Sequence, residues 1–276
     1  MLDEVARLLA CPHCGAGLEP DGAALRCAAN HSFDLAKQGY VSLLGGRGAP
    51  APGDTAPMIA ARADFLAAGH YDPISTALAD AAAEVHTGGP LLDLGAGTGH
   101  YLARVLDRVP GEVGVALDVS KFASRRAAKA HPRASAVLAD AWQGLPLRDA
   151  ALGSVLNAFA PRNPAETHRV LRPGGHLLVV TPNSGHLGEL VSVLGLLSVD
   201  ERKPQRLAEQ LATHFDPIAT TTREFPLHLG PAELATLVGM GPNAWHTADT
   251  LPARIAELPT PFPVTASITL STYRRR

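Results

Sequence analysis

A chain of 276 residues, 46% hydrophobic and 18% charged, holds enough apolar material for one large core, or a large core and a small one, which excludes global disorder. Its 24 Lys and Arg against 26 Asp and Glu give a formal charge of −2, so any nucleic-acid contact must rest on local cations. No apolar run is long enough to span a bilayer, and three cysteines, an odd number, do not make a closed disulfide framework.

The first ten residues, MLDEVARLLA, carry Asp3, Glu4 and Arg7 and do not read as a secretory leader, so a reduced, cytoplasmic protein is expected. All three cysteines then fall in one stretch, CPHCGAGLEPDGAALRCAANH. Cys11, Cys14, Cys27 and His31 follow the spacing C-x2-C-x12-C-x3-H. Two thiolates two residues apart can close on one ion from a tight turn, and Gly15 and Gly17 suit such a turn. The return leg, LEPDGAALRC, predicts a hairpin around Asp21-Gly22. Three thiolates and an imidazole suit tetrahedral zinc, and a filled shell leaves no open position for catalysis, so the site is expected to be structural. His13 is an alternative fourth ligand, although a residue wedged between two knuckle cysteines usually points away. So short a segment builds little core alone, and metal binding would supply its folding energy. Residues 1–44 are therefore expected to form a small zinc-binding domain. Residues 45–57, rich in Gly and Pro, form a linker, and 58–276 a larger domain.

In the larger domain MIAARADFLAAGHYDP predicts a helix that stops near His70 and Tyr71. A short apolar strand, 91–94, runs into Gly95-Ala96-Gly97-Thr98-Gly99, and a helix follows. Such glycines let the backbone approach a ligand closely beside a helix N-terminus. Asp93 precedes them, and the third glycine of a dinucleotide fingerprint is out of place. A second strand, 112–117, ends at Asp118, an acid well placed for ribose hydroxyls. A helix over 121–130 and a third strand, 135–138, lead to Asp140 and Ala141. A fourth strand, 153–157, leads to AFAPRN, and LRPGGHLLVVTP gives a helix end, a Pro-Gly-Gly turn and a fifth strand. Strands alternating with helices predict a doubly wound α/β fold.

This order resembles the class I S-adenosylmethionine-dependent methyltransferases over residues 58–276, which implies a mostly parallel, seven-stranded, Rossmann-like sheet. The resemblance implies that Asp93, Gly95, Gly97 and Gly99 cradle the methionine part of S-adenosylmethionine. It also implies that Asp118 holds the ribose, that Asp140 and Ala141 meet the adenine, and that the stretch ending at Tyr71 closes over the cofactor or substrate, where its alternative is a packing helix with an aromatic stop. His100 and Asn157 are expected beside the cofactor. CPHC, HSFDLAKQGYVSLL, GDTAPMIAARADFLAAGHYDP, DVSK and GMGPNAWH together are similar to the 23S rRNA guanine-N1 methyltransferases of the RlmA type. NAFAPRNP and GPNAWH look more like the subtype linked to macrolide (tylosin-type) resistance. That implies a 23S rRNA hairpin near the peptide exit tunnel as partner, implies no membrane, and leaves a homodimer open.

Guanine N1 lies on the Watson–Crick edge, so the base must be unpaired or extruded to be methylated there. N1 also carries a proton at neutral pH and needs an acceptor. Asn157, Phe159 and Arg162 lie at the fourth strand's C-terminal end, where doubly wound sheets place ligands, and are the catalytic candidates. Phe159 would stack on the base or fill core; Arg162 would hold a phosphate or guanine O6, or stay solvated. Asp54 and His100 are the candidate general bases. Lys121, Arg125, Arg126, Lys129, His131 and Arg133 form a candidate RNA patch, to which Trp245 and His246 would add stacking if exposed. Two rivals are a small-molecule methyltransferase with the zinc module as a protein contact, and a non-catalytic zinc-dependent RNA-binding protein. The intact acidic and glycine positions count against the second.

Overall fold

The computed structural model describes residues 2–45, 53–196, 203–241 and 251–276. The N-terminal segment begins with the short helix α1 (Leu2–Ala6) and forms a three-stranded antiparallel sheet of β1 (Leu18–Asp21), β2 (Ala24–Cys27) and β3 (Ser32–Asp34). The hairpin expected around Asp21-Gly22 joins the first two strands, with Leu18 opposite Cys27 and Asp21 opposite Ala24.

The large sheet contains β4 (Tyr40–Ser42), β5 (Leu91–Leu94), β6 (Gly114–Asp118), β7 (Ala134–Leu138), β8 (Leu152–Ala158), β9 (Leu171–Pro182), β10 (Phe215–Leu229) and β11 (Phe262–Arg275). Across it the order is β10-β11-β9-β8-β5-β6-β7-β4. The pairs from β4 to β9 are parallel, and β11 and β10 complete one edge antiparallel. The expected seven strands are present, and an eighth, β4, joins them from the segment assigned above to the zinc-binding domain. Val41 pairs with Val137, and Leu43 N–H bonds Leu138 O at 2.8 Å. Alternation in YVSLL puts Val41 and Leu43 on one face, so only docking against the large sheet buries both, at 0% and 1% exposure. The Pro-Gly-Gly turn expected before the fifth strand lies inside β9, where the register jumps from Leu152–Leu171 to Ser154–His176.

The helices are α2 (Ala56–Ala67), α3 (Asp72–Val85), α4 (His100–Arg108), α5 (Lys121–Ala127), α6 (Pro164–Val170), α7 (Gly188–Leu194), α8 (Lys203–Leu211) and α9 (Pro231–Gly239), followed by Leu251–Ala256. Helix α2 starts inside the stretch expected to be linker. Thr55 caps it by accepting from Met58 N–H, and a proline fits its first turn.

Helices α3, α4 and α7 pack on one sheet face through Leu78, Leu102, Val105 and Leu190, against Leu91, Leu156, Val180 and Ile268. On the other face the crossover from β7 to β8 holds no α-helix, only the 3-10 turn Ala141–Gln143. The zinc-ligand segment covers that face instead. Val5, Leu8, Leu9, Leu18, Leu25 and Phe33 share one core with Leu92, Leu94, Val115, Leu117, Val137 and Leu147. Backbone bonds clip the two together: Ala10 N–H to Pro146 O at 3.0 Å and Arg148 N–H to Leu8 O at 2.9 Å. The Arg148 guanidinium lies over Gly17, in the space a side chain there would take.

Leu9 is fully buried at this seam and bridges Leu147. Leu9→Ala should lower the stability of the whole chain by roughly 2–5 kcal/mol, in one cooperative calorimetric transition. A separate early transition confined to the N-terminal segment would contradict the shared core.

Candidate active site and metal centre

The metal ligands converge as their spacing predicts. One ligand atom from each of Cys11, Cys14, Cys27 and His31 lies within 4.8 Å of every other. Zinc–sulfur bonds of about 2.3 Å at tetrahedral angles separate sulfurs by about 3.8 Å. Cys14 Sγ and Cys27 Sγ are 3.7 Å apart, and His31 Nδ1 lies 3.4 Å from both Cys11 Sγ and Cys27 Sγ. The donor set therefore fits a closed zinc shell. Each half-site is a tight turn, with Gly15 N–H to Cys11 O at 2.8 Å and Asn30 N–H to Cys27 O at 2.9 Å. His13 stays out of the shell and stacks on Phe33, with ring centres 5.7 Å apart.

The strand order reverses at β5, which lies between β6 and β8, and the crevice beyond these strand ends is where an open α/β sheet binds ligands. The glycine loop leaves β5 there. Gly95 has φ +77°, and a side chain on it would collide with Ala160, because the loop after β8 presses against it. Asp118 accepts from Gly97 N–H and Ser120 N–H, both at 2.8 Å. Burial raises its carboxyl, against the lowering effect of those two bonds. Asp93 is buried, and its Oδ2 has no hydrogen-bond partner. Burial, then the charge of Asp118, pushes Asp93 up to about 7. A buried acid with an orphaned oxygen and a half-buried one, beside glycine N–H groups, call for a ligand that brings a cation and hydroxyls. The amino-acid head and ribose of S-adenosylmethionine meet that demand.

Asp140 Oδ1 accepts from Trp142 N–H at 2.9 Å and caps the turn that Ala141 opens, a role that any acid or amide there would fill. Over the glycine loop lies the start of α2. Ser120 Oγ donates to Asp54 O at 2.6 Å, and Arg62 pairs with the Asp54 carboxylate while donating to Met240 O at 2.6 Å. The Arg62 guanidinium sits against Gly97. Both candidate general bases are thus engaged: Asp54 with Arg62, and His100 with Ser75 Oγ of α3 at 3.3 Å. Burial, and next Arg104, lowers the His100 pKa.

At the end of β8, Asn157 is fully buried. It donates to Leu94 O (3.2 Å) and Pro161 O (3.0 Å), and accepts from Arg162 Nε at 2.9 Å. Arg162 also donates to Ala160 O at 3.2 Å, so these two side chains brace the loop beside Phe159. Phe159 has φ +55° and is 38% exposed. Its ring lies 6.2 Å from Tyr71, 6.4 Å from Tyr101 and 6.0 Å from His186. Tyr71 Oη is 3.3 Å from His186 Nε2. Tyr101, Arg62 and His186 are absent from the candidates named on sequence. His70 turns away from this group and packs on Phe65, with ring centres 4.7 Å apart.

The expected cationic patch divides. Arg133 is spent on the carbonyls of Leu106, Val109 and Glu112, and His131 pairs with Asp107 at 3.2 Å. Lys121, Arg125, Arg126 and Lys129 remain exposed, with Lys121 Nζ 5.1 Å from the Phe122 ring centre. Trp245 and His246 lie outside the described residues.

Sheet order, glycine loop and acid pair define a class I methyltransferase, here fused to a zinc ribbon. Residues 9–46 match the model of the RlmA N-terminal zinc ribbon, and residues 91–175 match a methyltransferase domain model. A Micromonospora griseorubida protein described as a 23S rRNA (guanine-N1)-methyltransferase is 55% identical, over 96% of this chain and 97% of its own. The 23S rRNA (guanine(748)-N1)-methyltransferase of Streptomyces fradiae is 50% identical, over 99% of both chains. The YcgJ protein of Bacillus subtilis shares the fold, with a TM-score of 0.51 and 14% identity over 73% of this chain and 98% of that one. The chain belongs to the 23S rRNA (guanine-N1)-methyltransferase family.

Two outcomes follow for the purified protein. Cys14→Ser should lose its zinc, measured by metal release to a chromogenic chelator, and its melting temperature should fall. Retention of stoichiometric zinc would contradict the ligand set. For Asp93, ionisation near 7 in the fold against about 3.9 in the unfolded chain penalises only the ionised folded form. Its contribution to stability is thus present at low pH and lost as pH rises through 7. Without cofactor, the wild type should lose on the order of 2 kcal/mol more stability than Asp93→Asn between about pH 5 and pH 8. Parallel pH profiles would refute the raised pKa.

Proposed function

We propose that the protein methylates N1 of a guanine in a hairpin of 23S rRNA, with S-adenosylmethionine as donor, in the cytoplasm. What carries this reading is the full-length match, zinc ribbon included, to the Streptomyces fradiae enzyme whose name specifies guanine 748. The equivalent guanine is the best-supported target, and tylosin-type macrolide resistance is the consequence that reading implies. Among the described residues no helix is long and apolar enough to cross a membrane.

S-adenosylmethionine supplies an electrophilic methyl group on a sulfonium. In this reading Asp93, Gly95, Gly97 and Asp118 hold its amino-acid and ribose parts, and the turn at Asp140 and Ala141 borders the adenine. His100 and Gly99 complete the cofactor's surroundings, and Tyr71 stands on the substrate side, against Phe159. Phe159 offers an exposed ring on which an extruded base can stack, which every purine face permits and which aligns N1 for attack. Asn157 and Arg162 act through the loop they brace. The ribbon and the exposed cations of α5 hold the RNA backbone.

The reading is tested by incubating the protein and labelled cofactor with 23S rRNA that lacks the modification, then mapping by reverse transcription. N1 methylation blocks pairing, so one new stop in the hairpin is expected. Label that enters small molecules but never RNA would overturn it. Phe159→Ala should slow RNA methylation by roughly 5- to 100-fold while leaving cofactor affinity intact.

A further inference from the structure

His186 lies in the loop after β9 and is held at both ring nitrogens. Its Nδ1 accepts the backbone N–H of Ser267 at 3.1 Å, and its Nε2 lies 3.3 Å from Tyr71 Oη. A backbone N–H only donates, so Nδ1 carries no proton, and the neutral ring must carry it on Nε2. Burial keeps that ring neutral, lowering its pKa to about 4. His186 Nε2–H therefore donates to Tyr71 Oη, and the phenolic proton of Tyr71 is left to point elsewhere. The Tyr71 ring stacks on that of Phe159, with centres 6.2 Å apart and an interplanar angle of 27°, so its hydroxyl lies beside the partly exposed aromatic group at the end of β8. Burial raises the Tyr71 pKa, so its hydroxyl stays protonated and able to donate.

Resting on the guanine-N1 reading above, we propose that Tyr71 donates a hydrogen bond to the O6 carbonyl of the target guanine, and that His186 is the positioning residue that orients it. In the reaction the N1–CH3 bond forms from electrons on N1. The methyl–sulfur bond breaks with its pair passing to sulfur, and the N1 proton leaves to water. Negative charge that appears on the N1–C6–O6 unit as the proton departs settles largely on O6. A fixed, dry donor at O6 stabilises that charge and makes N1–H more acidic. This role suits a site whose two candidate bases are occupied, Asp54 by Arg62 and His100 by Ser75.

The experiment measures single-turnover methylation of the 23S rRNA hairpin by the full chain, alongside calorimetric binding of S-adenosylhomocysteine. Tyr71→Phe and His186→Leu should each slow methyl transfer on the order of 100-fold, with S-adenosylhomocysteine affinity unchanged. His186→Gln can accept from Ser267 and donate to Tyr71 through its amide, and should recover most of the rate. The Tyr71→Phe/His186→Leu double variant should be no slower than Tyr71→Phe alone. The Tyr71→Phe deficit should shrink as pH rises toward the range where guanine N1 ionises unaided, a trend that a packing defect would not produce. Unchanged rates, additive losses, a deficit constant with pH, or an equal loss of S-adenosylhomocysteine affinity would each overturn the proposal. If the wild type itself leaves the hairpin unmethylated, the function reading fails, and the inference falls with it for a distinguishable reason.

Discussion

The sheet face formed by Leu92, Leu94, Val115, Leu117 and Val137 has no crossover helix over it, because the chain passes from β7 to β8 through a single 3-10 turn. Residues 5–43 close that face. Each large apolar side chain buried there is worth about 1.5–3 kcal/mol, so the ribbon's apolar side and the sheet's stabilise each other. Zinc enters this account by holding the two knuckles in the one arrangement that turns Leu9, Leu18, Leu25 and Phe33 toward the sheet. Metal, ribbon and methyltransferase core are thus coupled, and β4 makes the coupling a matter of backbone pairing as well as packing.

In the function proposed above, the ribbon docked on the sheet would give the catalytic end a fixed reference for RNA. The crevice at β5 and β8 is built at some cost: two acids in one buried neighbourhood, an orphaned Asp93 oxygen, and a phenylalanine in a left-handed conformation. Asn157 and Arg162 sustain the last of these by tying the loop to the end of β5. Such features are what a site pre-formed for a cationic cofactor and a stacked base would carry. A degenerate, purely RNA-binding relic would have no reason to retain them.

The metal centre and the glycine loop were legible in sequence because both depend on short-range spacing. C-x2-C and C-x3-H encode turns, and the acid before a run of alternating glycines encodes a strand end and a helix start. The parallel strands were legible through their apolar runs. Three-residue β4 is too short to show a period, and its pairing is set by packing rather than propensity. Helix α2 starts among Gly and Pro residues that read as linker, and the Thr55 cap that begins it shows only in the fold. His186 meets Tyr71 across 115 residues and Ser267 across 81, and a lone histidine in a polar loop announces neither contact. The division of the cations likewise depends on which carbonyls Arg133 reaches after folding.

The zinc ribbon is part of the methyltransferase core, and amide hydrogen–deuterium exchange with and without a zinc chelator tests this coupling. Removing zinc should raise exchange across residues 9–43 and also in β7 and the 139–151 connection. Increased exchange confined to residues 9–34, with 134–151 as protected as before, would contradict it.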